Sequence, residues 1–219
     1  MTLGVALCIK SSLGSSVISS LPYVLSLAGD DDIIPALSVG SWTILMNFFF
    51  VGCQILILRR QFEPVQLFQL VIGFVFGWLI DLNMWIVSAI DCSNVAMQAL
   101  TQWLGCTIMG IGIAFEVKCG SVTMPGEGIT IAIGRVLDRP FARVKIAVDT
   151  ALVVLAVAAS YCFMGRWMWN VIGVGTLFAM FYVGLVVKAV SPRLGWFDSL
   201  VTTPGVRRYV FGLARFIRH

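Results

Sequence analysis

The sequence predicts an all-α fold, a polytopic bundle of transmembrane helices in a single membrane domain over residues 1–219. Hydrophobic residues make up 59% of the chain and charged residues only 12%, and the mean hydropathy is +0.95. A soluble domain of this length needs more charge on its surface than 15 basic and 11 acidic side chains can supply. Several apolar runs are also long enough to cross a bilayer.

The apolar runs define the predicted elements in chain order. A helix needs about 20 apolar residues to cross a hydrocarbon core about 30 Å thick. The five runs that meet this requirement are 34–58, 64–87, 95–117, 144–164 and 167–190. Two shorter segments, 13–28 and 125–136, are rich in Ser, Gly or Pro. We expect these two to be re-entrant or half-membrane helices.

The charges between the spans predict the orientation of the chain. Basic residues cluster at 59–60, at 135–145 and in the C-terminal tail, whereas the acidic loops at 30–32 and Asp91 carry no basic residue. Lys and Arg are retained on the cytoplasmic side, so the C-terminus is predicted to be cytoplasmic. Only Arg166 departs from this pattern.

The tail, about 193–219, alternates Arg with apolar residues. This spacing favours a basic interfacial helix that binds anionic lipid, and a solvated tail is the alternative.

The chain also carries an internal repeat. Residues 4–10 align with 112–118 at an offset of 108, and a stretch rich in small polar residues follows the lysine of each copy. The same offset brings the span 34–58 onto the span 144–164, which the predicted topology runs in the opposite direction. The sequence therefore predicts a three-helix inverted repeat, with repeat one at about 1–91 and repeat two at about 94–192.

The repeat bears on the start of the chain. Met1 aligns with Met109, which lies in the middle of the span 95–117. The nine residues before Lys10 are too few to cross a bilayer. We therefore expect the natural protein to have a longer N-terminus that completes a sixth span, and a native short half-helix is the alternative.

These segments resemble a known family. The first repeat fits the pattern G-x-A-x-x-x-K-x-x-L-G-x-S over residues 4–16, and the run 125–129 is similar to P-x-D-G-L. Both patterns are similar to signatures of the YitT/YczE-like family of bacterial membrane proteins. The resemblance to this family extends over nearly the whole chain. The resemblance implies a multi-pass protein of a bacterial inner membrane, and it implies an architecture more than an activity. Val17 and Ser19 stand where the family has Pro and Asp, so a role for paired carboxylates does not carry over.

Candidate site residues surround the predicted starts of the two short helices. An ionisable group inside a membrane costs about 2.5–3.5 kcal/mol on insertion scales, so each is a functional candidate. The free N–H groups at a helix start favour an anion, and a neighbouring lysine adds to that preference. The predicted solute-binding residues are Lys10, Ser11, Ser12, Ser15, Ser16, Lys118, Ser121, Thr123 and Glu127. The alternative is that Ser and Gly only allow close helix packing.

Two further carboxylates are candidates for proton or ion coupling, Glu116 and Asp81. Lys188 and Asp149 lie near span ends, where the side chains can reach the interface, and are expected to be structural.

Other functions are disfavoured. The only histidine is the last residue, the six cysteines form no CxxC pair, and the motifs HExxH, GxSxG and the P-loop are absent from the sequence. We therefore expect no enzyme activity, no metal, no cofactor and no nucleic-acid partner. The leading hypothesis is a transporter of a small anionic or zwitterionic solute. The alternatives are a membrane-embedded capture subunit of a larger transporter, or a structural or regulatory protein. The expected partners are the lipid bilayer and the solute, with a homodimer also considered.

Overall fold

A computed structural model describes residues 1–31, 34–59, 62, 64–119, 123–139 and 141–194, with backbone only at 64, 65, 117–119, 141 and 142. These residues form helices and connecting segments, with no strand among them. The helices are α1 (Thr2–Lys10), α2 (Val17–Asp30), α3 (Val39–Leu58), α4 (Phe68–Val87), α5 (Val95–Cys119), α6 (Pro125–Leu137), α7 (Phe141–Met164) and α8 (Val174–Val190). Short 3₁₀ turns at Pro64–Leu67 and Ser191–Leu194 precede α4 and follow α8.

The structure confirms a helical membrane bundle. Four helices in the described part of the chain are long and apolar enough to cross a membrane, and they correspond to α3, α4, α7 and α8. The remaining predicted span forms the 25-residue helix α5, which is not among these four. Its sequence includes the polar residues Gln98, Gln102 and Glu116. Both predicted short helices form, and α6 begins at Pro125 as expected. Proline suits the first position of a helix because the missing N–H would have no helical partner there.

Glycines allow the closest helix contacts. On α1 and α5, Gly4 and Gly105 lie so close that a Cβ on Gly4 would be 2.6 Å from the Gly105 carbonyl oxygen. Gly40 on α3 meets Gly77 on α4 in a similar way. Small residues let helix backbones approach closely in a membrane, where dispersion contacts stabilise the pair.

The two halves of the chain pack in corresponding ways. At the offset of 108, α2 corresponds to α6, α3 to α7 and α4 to α8. The short helix α2 packs against α7 of the other half, and α6 packs against α3. Within the first half, α1 packs against α4. Their counterparts in the second half, α5 and α8, also pack against each other. Each short helix therefore packs against the long helix that follows its counterpart in the other half.

The halves differ between their last two helices. The helices α3 and α4 pack extensively against each other, whereas their counterparts α7 and α8, which are joined by the connection 165–173, make little direct contact. The sequence prediction of a span from residue 167 is wrong at its start, because α8 begins at Val174. Trp167 made the segment look like membrane helix, but its indole N–H donates to the Ile172 carbonyl within the connection.

The connection is partly buried. Val171 and Ile172 pack with Val24 of α2 and Ala156 of α7 in one apolar cluster. This placement brings the backbone of residues 171–175 against the segment that precedes α2. That segment and the first turn of α2 form the first of two candidate half-sites. The end of α5 and the first turn of α6 form the second.

Candidate functional site

The start of α2 is closed by a network of hydroxyl groups. Ser15, Ser16, Ser19 and Ser20 are all buried. The hydroxyl oxygens of Ser16 and Ser19 lie 2.6 Å apart, and the Ser20 hydroxyl donates to the Ser16 carbonyl oxygen at 2.9 Å. Each of these hydroxyl groups therefore has a partner within the protein.

The connection between α7 and α8 and the first turn of α8 form hydrogen bonds with the segment before α2. The Ser15 backbone N–H and hydroxyl both bond to the Val171 carbonyl oxygen, at 2.8 and 2.9 Å. The N–H of Gly175 donates to the Leu13 carbonyl oxygen at 2.8 Å. Gly14 has a φ of +143°, and a Cβ there would lie 2.5 Å from the Thr176 backbone nitrogen. A glycine is required here because both the conformation and the space exclude a side chain.

Lys10 and its neighbours do not enter that network together. The Lys10 ammonium group donates to the Ser88 carbonyl oxygen at 3.0 Å, in an exposed position. Ser12 is also exposed, with a φ of 59°. Ser11 is buried, and its hydroxyl lies 2.6 Å from the side-chain oxygen of Gln102 on α5. Of the predicted residues in this half, the structure brings together Ser15 and Ser16 and leaves Lys10 at the surface.

The start of α6 is built around two carboxyl groups. Glu116, near the end of α5, accepts a hydrogen bond from the Met124 N–H through Oε1 at 2.9 Å. Its second oxygen, Oε2, is buried and has no hydrogen-bond partner among the described residues. Glu127, in the first turn of α6, lies close enough to Glu116 for their charges to interact. Glu127 also interacts electrostatically with Lys145 and Asp149 of α7, which form an ion pair with charged atoms 2.8 Å apart.

Two glutamines complete this half-site, and the sequence prediction missed both. Gln54 on α3 is 1% exposed and donates to the Pro125 carbonyl oxygen at 3.1 Å. Gln69 on α4 is 4% exposed, and its Oε1 has no hydrogen-bond partner in the described structure. A Cβ on Gly128 would lie 2.6 Å from Gln69 Oε1 and 2.8 Å from Gln54 Oε1. The available signal was an uncharged amide within an apolar run, since such side chains form hydrogen bonds between membrane helices.

The two half-sites meet at equivalent positions. The side chain of Ile18 occupies the space that a Cβ on Gly126 would need, and these residues correspond at the offset of 108. Phe50 of α3 and Leu152 of α7 lie in the same apolar cluster as Ile18 and Ile129. The first turns of α2 and α6 are therefore neighbours in the interior.

Other predicted residues lie elsewhere or outside the description. Asp81 binds the start of α3, where its carboxylate accepts from the Ser38 hydroxyl at 2.6 Å and the Gly40 N–H at 2.8 Å. A carboxylate at a helix start interacts favourably with the helix dipole, so these contacts stabilise the start of α3. Thr123 is half-buried just before α6. Ser121, the Lys118 side chain and the tail from residue 195 lie outside the described residues.

Fold and site define a helical membrane protein with two short interior helices whose starts adjoin. The chain belongs to the Family of unknown function (DUF6198), whose model matches residues 1–192.

A relative in Bacillus subtilis (strain 168), "Uncharacterized protein YyaS", is 26% identical over 193 residues, which cover 88% of this chain and 87% of the relative. No solved structure matches the chain. An uncharacterised bacterial relative agrees with the coarser part of the predicted resemblance, whereas the YitT/YczE-like assignment is not confirmed.

Proposed function

We propose that this protein transports a small solute across the membrane, with the binding site at the adjoining starts of α2 and α6. The observation that carries the proposal is the contact between Ile18 and Gly126, which joins equivalent positions of the two halves. Transporters built from internal repeats bind their cargo at the repeat interface, at the ends of discontinuous helices.

The polar groups near this interface support a binding role over a purely structural one. The start of α6 has buried acceptor atoms on Glu116 and Gln69 that no described group satisfies. Leaving a buried polar group without a partner costs about 1–3 kcal/mol. A structural bundle gains nothing from that cost, whereas a binding site recovers it when the ligand arrives.

The same geometry favours a zwitterionic solute over a simple anion. The sequence predicts anion binding because helix starts carry free N–H groups. At α6, however, the Met124 N–H already bonds to Glu116, and Glu127 adds a second carboxyl group in the first turn. At α2, the hydroxyl groups bond to each other and to Val171. An anion placed at α6 would therefore meet two acidic groups.

Uptake into liposomes tests the proposal. The purified chain, reconstituted alone, is expected to accumulate a solute identified by a thermal-shift screen of zwitterionic metabolites, and Gly126→Leu is expected to reduce uptake at least about 10-fold because the new side chain enters the interface. Gly52→Leu is the matched control, since nothing lies within 4 Å of its Cβ position. Binding without uptake by the lone protein would favour the capture-subunit alternative.

A further inference from the structure

The start of α6 offers hydrogen-bond acceptors in excess of donors. Glu116 Oε2 and Gln69 Oε1 are both buried and unpartnered in the described structure. Both carboxylate and amide oxygens accept hydrogen bonds and cannot donate them unless protonated. The group that would satisfy them must therefore carry several N–H or O–H donors.

Gln69 provides an observation that is independent of the carboxyl groups. It comes from a different helix, α4, and its side chain is almost wholly buried at 4% exposure. Its free oxygen lies against the first turn of α6, 2.6 Å from the position that a Cβ on Gly128 would take. Gln54 reaches the same turn from α3 and donates to the Pro125 carbonyl oxygen. With Glu116 of α5, which bonds to the Met124 N–H, three helices direct polar atoms at the start of α6.

Charge also favours a cation at this turn. Glu116 and Glu127 lie close together in a largely buried site, where two negative charges would repel each other. Two cations of the described residues lie nearby. The Lys145 ammonium group bonds to Asp149, and the Met1 amino group interacts with the Glu116 charge. Neither donates to Glu116 Oε2 or to Gln69 Oε1, because both oxygens lack a partner.

We propose that the first turn of α6, with Glu116, Glu127 and Gln69, is a recognition site for a protonated primary amine. A primary ammonium group supplies one positive charge and three N–H donors, which match the two free oxygens and the Glu127 carboxyl group. This inference deepens the proposed function, on which it rests for the fate of the ligand, by assigning the charged group of the solute.

Thermal unfolding of the purified full chain tests the site without requiring transport. The probe is ethylammonium chloride at about 100 mM, because a three-atom fragment binds no tighter than about millimolar. It is expected to raise the Tm by about 2–5 °C. Sodium chloride and tetramethylammonium chloride at equal ionic strength are expected to raise it by less than about 1 °C, since neither has an N–H donor. An equal shift with either salt, or no shift with ethylammonium, would overturn the proposal.

Two variants locate the effect. Glu127→Gln and Gln69→Leu are each expected to weaken ethylammonium binding about 10-fold or more, because each removes a charged or buried acceptor. Asp91→Asn and Gln98→Leu are the controls, because these side chains bond only near the loop before α5. Should one site variant fail to fold, the other still decides. Retained binding in a folded site variant would refute the assignment.

The outcomes for the inference and for the proposed function are separable. Ethylammonium binding without uptake of any amine into liposomes supports the recognition site and contradicts transport. Uptake of a solute that lacks an amine, with no ethylammonium response, supports transport and overturns the recognition site.

Discussion

The starts of α2 and α6 occupy equivalent positions but have opposite chemistry. At α2, buried serine hydroxyls bond to each other and to the backbone of the α7–α8 connection. At α6, two carboxyl groups and a buried glutamine leave acceptor oxygens free. The comparison teaches that two segments aligned at the offset of 108 can pack in corresponding ways while their polar residues differ. We infer that the α2 start holds the fold together and that the α6 start binds the ligand.

A cross-link between α1 and α5 tests the helix packing that supports the starts of both α2 and α6. Cys8 and Cys106 are buried, and their sulfur atoms lie 3.8 Å apart. In a variant whose other four cysteines are replaced by serine, a copper(II) oxidant should remove two electrons and two protons and form the disulfide. The bond closes a loop of about 100 residues and is expected to stabilise the chain by about 4 kcal/mol.

Thiol titration before and after oxidation measures the yield of this cross-link, and unfolding with and without reductant measures the gain. Both free thiols remaining after oxidation would show that α1 and α5 do not pack as described.

Replacing a glycine at each start should separate the two roles by their effect on stability. Gly14→Ala introduces a Cβ at a φ of +143° and 2.5 Å from a backbone nitrogen of α8. Strain and overpacking together are expected to cost about 3 kcal/mol in the free energy of unfolding. For Gly128→Ala the nearest atoms are the ends of the flexible side chains of Gln54 and Gln69, and the change is expected to cost about 1 kcal/mol.

Urea unfolding in detergent compares the two glycine variants. Equal losses for both would contradict the division of roles, as would a larger loss for Gly128→Ala.

Local signals predicted much of the fold. The bounds of α6 follow from Pro125 at its first position and from Asp138, which ends the helix with a φ of 49°. The start of α8 was mispredicted because Trp167 contributes hydrophobicity in the connection as it would in a helix. Whether such a segment continues a helix depends on contacts with α2, which no local pattern encodes.

The site was predicted less well than the helices. Charge inside a membrane is costly, so the sequence indicates Glu116 and Glu127 as candidates, and the structure places them together. Lys10 was paired with Lys118 by the repeat, but its side chain turns to Ser88 at the surface. The sealing of the α2 start depends on carbonyl groups of residue 171, and backbone groups carry no signal in the sequence.

The hydroxyl groups just before α2 and α6 should differ less in their effect on stability. Ser15 and Thr123 correspond at the offset of 108. Ser15→Ala is expected to lose about 1–2 kcal/mol of stability, because it breaks the bond to Val171 and leaves Ser20 with fewer partners. Thr123→Val keeps the shape of a side chain that makes no hydrogen bond in the described structure and is expected to change stability by less than about 0.5 kcal/mol.

Thermal unfolding of the single variants and of the double variant measures this contrast. A loss at Thr123 equal to that at Ser15 would place a structural hydroxyl network at both starts.

The smallest expected effect on stability is at Glu127, and it bears most directly on the comparison. Its counterpart Ser19 bonds to the hydroxyl and carbonyl oxygens of Ser16, so Ser19→Ala should cost about 1 kcal/mol. Glu127→Gln keeps the shape of the side chain and removes a charge beside Glu116, so the free energy of unfolding should stay within about 0.5 kcal/mol or rise. Unfolding without ligand measures both variants. A loss above about 2 kcal/mol for Glu127→Gln would mean that the carboxylate stabilises the fold, and the two starts would then share one structural role.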